Sequence, residues 1–135
     1  MDNFYKQLVI AGSVAASFLF GGWSYLLSVL LAFVVIDYVT GIGAAAKEGA
    51  LNSSKGFWGI AKKVSIFAIV AVAHLVDMTL GDAHLFRDAA IFFYLGNELI
   101  SLLENAGRMG APIPPVLKKA IEVLKGKGGE NDISR

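Results

Sequence analysis

The stretch LLSVLLAFVVIDYVTG, residues 26–41, decides the fold. Residues 26–36 are almost pure hydrocarbon, long enough with their flanks to span a bilayer. Asp37 is then set into the apolar run, with Thr40 and Gly41 one turn on. A carboxylate in a lipid-embedded helix is costly and calls for a partner or a function.

The whole chain agrees with a membrane setting. Of its 135 residues 56% are hydrophobic and 17% charged, and the mean hydropathy is +0.62. Soluble domains carry roughly a quarter charged residues. There is no cysteine, which removes disulfide and thiolate chemistry. Two histidines far from other soft ligands give no zinc pattern, so no metal or cofactor is expected. A net charge of +1 gives no reason to expect nucleic acid. No grouping of nucleophile, base and oxyanion donors points to an enzyme or a small-molecule substrate.

Apolar segments lie at about 4–20, 23–46, 64–80 and 86–105, which reads as an all-α membrane protein of three to four spans, four being preferred. Gly21–Gly22, followed by Trp23, reads as a tight hairpin between the first two; one long bent helix is the alternative. An uncleaved start is expected, since no small-x-small site closes the first apolar run. The segment 47–63 carries Lys47, Lys55, Lys62 and Lys63 against Glu48, and the region from Gly107 onward is also basic. Positive residues stay cytoplasmic, so four spans with both termini inside satisfy every connection.

The chain thus divides into a transmembrane part, 1–106, and a cytoplasmic part, 107–135. In the second, residues 116–124 form an amphipathic stripe, and the last ten residues read as disordered. The segment NSSKGFWGIAKK (52–63) reads as an interfacial turn or short helix. Trp58 would lie at headgroup level, as would Trp23, with Lys62 and Lys63 on anionic lipid.

Polar residues recur inside the apolar helices. In the fourth segment Arg87, Tyr94, Asn97, Ser101 and Glu104 fall on one side at helical spacing, flanked by Glu98 and Asn105. Ile91, Phe92, Leu95, Leu99 and Leu102 fall on the other. The third segment adds His74 and Asp77, one turn apart. By depth, the candidate partners of Asp37 are Lys62, Lys63 and Asn97. The first segment offers small residues, with Gly12 and Ala16 spaced for close helix packing, and Gly41 does the same in the second. A self-oligomerising pore former, a small ion channel and a membrane anchor all fit this plan.

Four elements in order narrow the choice: IDYVTG (36–41), LNSSKGFWGIAKK (51–63), LVD (75–77) and FFYLGNELISLLENAGRMGAPIPPVLKKAI (92–121). Together they resemble the toxin-secretion/phage-lysis holin family over roughly residues 30–125. The resemblance implies a homo-oligomer in the host bacterial inner membrane whose lesion lets an endolysin reach the cell wall. It also implies that the polar residues above lie at helix contacts or along the lesion.

Overall fold

The computed structural model of the chain describes residues 2–81 and 83–123. Among these, all regular structure is helical: α1 (Asp2–Phe20), α2 (Tyr25–Lys47), α3 (Ser53–Leu80), α4 (Leu85–Arg108) and a short α5 over residues 115–123. The expectation for the last ten residues falls outside the described part.

Each helix ends where its sequence forces it to. Gly21 (φ 71°) and Gly22 (φ 94°) take left-handed conformations that close α1, so the chain breaks between α1 and α2 and one long bent helix does not form. Ser24 caps α2 by accepting from the Leu27 amide at 3.2 Å. Asn52 caps α3, its Oδ1 accepting from the amides of Ser54 and Lys55 at 2.9 and 3.3 Å. Gly81 (φ 112°) ends α3. Gly110 (φ 91°) and the prolines at 112, 114 and 115 end α4.

The segment 53–63 is not a separate interfacial turn: it is the first third of α3. Two glycines and a cluster of polar residues suggest a loop, because each glycine costs a helix about 1 kcal/mol. Tertiary packing reverses this. The Tyr38 ring lies against Gly56 and Gly59, and its hydroxyl donates to the Gly56 carbonyl at 3.3 Å. A Cβ at either glycine would lie 3.6 Å from the Tyr38 side chain, in van der Waals contact with it.

At 28 residues α3 is about 42 Å long, longer than the ~30 Å hydrocarbon core of a bilayer. Its first turns can therefore carry Lys55, Trp58 and Lys62 out of the apolar layer. Among the described residues, α2 and α3 are the two helices long and apolar enough to cross a membrane.

α2, α3 and α4 pack by seams whose residues recur at steps of three, four or seven, the spacing that keeps one helix face on its neighbours. In α2 the buried seam is Leu27, Leu30, Val34, Asp37 and Ala44; in α3 it is Ile66, Val70, His74 and Asp77; in α4 it is Arg87, Ile91, Glu98 and Asn105. The middle is dry, with Leu27, Leu30, Val34, Ile66, Val70 and Ile91 in one cluster. Polar residues occupy the seams on both sides of it. α1 buries none of its residues.

Candidate functional site

The polar seam residues form two clusters, one on each side of the dry core. The first lies toward the α2–α3 loop. Lys63 reaches inward from α3 and donates to Asp37 Oδ2 at 2.5 Å and to Glu98 Oε2 at 2.8 Å. Both acid side chains are almost fully buried, and the lysine largely so. From α4, the Asn105 amide donates to Asp37 Oδ1 at 2.8 Å and to the Asp37 carbonyl at 3.1 Å. It also approaches Thr40 Oγ1 at 3.3 Å, and the Thr40 hydroxyl turns back to the Ile36 carbonyl at 2.8 Å. Gly41 leaves room for this approach: a Cβ there would already touch the Asn105 amide nitrogen. Ser101 borders Asp37 as well. A groove of about 750 Å³ opens beside the cluster, lined by Asp37, Lys63, Ser101 and Asn105 together with Leu51 and Phe57.

The same end of the bundle is clasped outside the core. Arg108 donates to both carboxylate oxygens of Glu48 at 2.8 and 2.9 Å, and Lys47 donates to the Met109 carbonyl at 3.0 Å. The paired guanidinium holds the Glu48 carboxyl below the usual carboxylate range.

The second cluster lies at the opposite end, beside the α1–α2 and α3–α4 turns. The Asp77 carboxylate accepts the Phe86 and Arg87 backbone amides, each at 2.9 Å. It thereby caps α4, whose own N-cap residue, His84, makes no side-chain capping bond and sits at φ 51°. The Arg87 guanidinium donates to the Phe20 carbonyl at 2.8 Å, placing a cation on the C-terminal end of α1, and to Asp88 at 3.0 Å. His74 is buried and stacks on His84, ring centroids 5.9 Å apart. The turn at Gly21 passes directly over His74; a Cβ at Gly21 would lie 2.6 Å from its Cε1.

Several sequence expectations change here. Asn97, expected on the inward polar stripe and as a partner of Asp37, is exposed, whereas Ile91 is fully buried and Leu95 half-buried. The inward face of α4 is mixed rather than polar, because it must meet an apolar core over part of its length and acids farther along. Lys62 is exposed on α3. Lys63, one residue on, does not lie at the lipid surface: it points about 100° around the helix into the cluster. Glu104 and Tyr94 are half-buried, the latter against Phe93 at 5.2 Å. A Cβ at Gly12 would meet nothing within 4 Å among the described residues, whereas Ala16, one turn on, is half-buried. Trp23 lies half-exposed, edge-on to Phe20, with its indole donating to Ser28 at 2.8 Å; Trp58 is well exposed.

The sequence reading missed His84, the Glu48–Arg108 clasp and the Asn105–Asp37 bond. Nothing local marks the first two. The third was within reach, since Asn105 flanks the stripe at the same depth as Asp37.

Among the described residues, two helices are long and apolar enough to cross a membrane, and several ionisable side chains are buried between helices. The chain belongs to the bacteriophage holin family, whose profile matches residues 14–126. It is similar to an uncharacterized protein of Halalkalibacterium halodurans, 52% identical over 93% of this chain and 97% of the relative. An uncharacterized protein of Listeria monocytogenes is 50% identical over 98% of this chain and 94% of its own length. A protein named as a probable holin, from Bacillus phage phi105, is 31% identical over 83% of this chain and 82% of its own. No solved structure matches the chain.

Proposed function

We propose that the chain acts as a holin: it accumulates in the bacterial cytoplasmic membrane, self-assembles, and opens a lesion through which an endolysin reaches the cell wall. The observation that carries this reading is family membership over most of the chain, including similarity to a probable holin. In this reading α1 to α4 all cross the bilayer, with both termini and the α2–α3 loop in the cytoplasm. The basic residues Lys47, Lys55, Lys62 and Arg108 at that end support the orientation.

The clusters give the reading a mechanism. In the single chain Asp37, Lys63, Glu98 and Asn105 satisfy one another. Exposing such charges to lipid would cost about 2.5–3.5 kcal/mol each on the insertion scale, so the closed bundle keeps them inside. When chains assemble, the α1 face around Gly12 offers a contact that leaves the α2–α4 seams intact. Parting of those seams then exposes the polar faces of α2 and α4 to water rather than to lipid.

Expression in bacteria tests the proposal. Together with an endolysin the chain should cause abrupt lysis; alone it should stop growth and release a folded reporter protein. Release of ions without protein would favour a small channel, and a stable membrane population without lethality would favour an anchor. Single cysteines at Gly22 and Ala83 should be labelled from outside the cell, and one at Lys47 only after the membrane is opened. Labelling at Gly22 from the cytoplasmic side would reject the four-span arrangement.

A further inference from the structure

Three ionisable groups meet in the first cluster, and their charges do not balance. Lys63 supplies one positive charge; Asp37 and Glu98, both bonded to it, would supply two negative ones. The two carboxyls also lie within hydrogen-bonding reach of each other. Two ionised carboxylates in contact, away from water, repel strongly, and the usual resolution is that one of them keeps a proton.

Among the described residues no further cation compensates the surplus. From α3, Lys62 points outward and Lys55 is exposed. From α4, Arg108 is committed to both oxygens of Glu48, and Glu104 would add negative charge. From α2, Tyr38 is turned toward Gly56. The ionisable residues of α1, Asp2, Tyr5 and Lys6, are exposed. Arg87 is held at the far end of the bundle by Phe20 and Asp88.

We infer that the Asp37–Lys63–Glu98 cluster is a proton-binding site, holding one proton on the Glu98 carboxyl, directed at Asp37. The assignment to Glu98 follows from the donors. Asp37 receives an ammonium on one oxygen and the Asn105 amide on the other, the pattern of a stabilised anion. Glu98 receives the ammonium on one oxygen and faces an anion. With the proton in place the cluster is neutral, which a buried helix seam tolerates. Loss of the proton leaves one net negative charge between α2, α3 and α4. The closed bundle therefore weakens as pH rises through the titration of the site, and Glu98→Gln, which copies the protonated acid, is insensitive to that rise.

Infrared difference spectroscopy between H₂O and D₂O on the full chain in lipid vesicles at neutral pH reads the proton directly. The expected result is a protonated-carboxyl C=O band equivalent to one group per chain. The band should shift when glutamate carries ¹³C and disappear in Glu98→Gln. The isotope experiment uses the unsubstituted chain, so it decides the matter even if a variant fails to fold. Absence of any protonated carboxyl at neutral pH, or a band that ¹³C-glutamate does not move, would overturn the inference. Neither result depends on whether the chain lyses cells.

Discussion

The two polar clusters use the same residue types to different ends. At the α1–α2 end the charges are satisfied mainly by backbone, with Asp88 as a side-chain partner of Arg87. Asp77 holds two amides of α4, and Arg87 holds the last carbonyl of α1. Those partners are fixed by helix geometry and do not titrate. At the α2–α3 end the charges are satisfied by one another and by the Asn105 side chain. Side-chain partners can be exchanged, between conformations or between subunits, and their charge depends on pH. A cluster on backbone locks helix ends together; a cluster on side chains can be undone. Any transition of this bundle should therefore begin at Asp37, Lys63 and Glu98 and leave the Asp77–Arg87 end closed.

The sharpest way to break this contrast is at the side-chain cluster. Lys63→Met removes the cation shared by two buried acids, and stranding a buried charge in this way costs about 3–5 kcal/mol. Thermal unfolding in detergent should show the loss near neutral pH and a partial recovery at acid pH, where both carboxyls become neutral. A variant as stable as the parent at every pH would mean that the cluster is solvated and not a seam.

Next comes the backbone-anchored end. Gly21→Ala forces a side chain into a left-handed residue, at about 1–3 kcal/mol, and into the His74 ring. Adding His74→Ala should restore the part due to the clash and leave the part due to φ, which a double-mutant cycle separates. The part due to φ should not vary with pH in the way the Lys63 loss does, because backbone strain does not titrate.

A smaller effect tests the glycine-lined contact beneath the first cluster. Tyr38→Phe deletes one hydrogen bond and should cost about 0.5–1.5 kcal/mol in the same unfolding assay. The difference between inferring a loop at 53–63 and finding a helix there turns on this contact. Propensity, summed over Ser53, Ser54, Gly56 and Gly59, favours a break; the tyrosine ring that covers those glycines comes from a helix fifteen or more residues earlier.

The smallest effect belongs to the Glu48–Arg108 clasp, which is open to solvent and screened by salt. The folded state lowers the Glu48 pKa, so its contribution is fully present above the ordinary carboxylate pKa and fades as pH falls through the lowered folded value. Glu48→Gln should flatten that acid limb of the stability curve slightly, and high salt should do the same to the parent. An acid limb unchanged by the substitution would show that the clasp adds nothing.

The sequence by itself determined the membrane class, the helical content, the breaks at Gly21–Gly22, Gly81 and the prolines after Met109, and the resemblance to holins. These rest on hydrophobicity, on caps and on residues that cannot continue a helix, all of which act within a few residues. Only the tertiary structure decided which of two adjacent lysines turns inward, that Asn97 faces out while Ile91 and Glu98 share one seam, and that Asp77 caps a helix other than its own. The physical reason is the same in each case. Periodicity tells how residues are arranged around one helix, but the inward face is chosen by what the neighbouring helices present at the same depth. Asp37 selects Lys63 and Asn105, and the dry core selects Ile91.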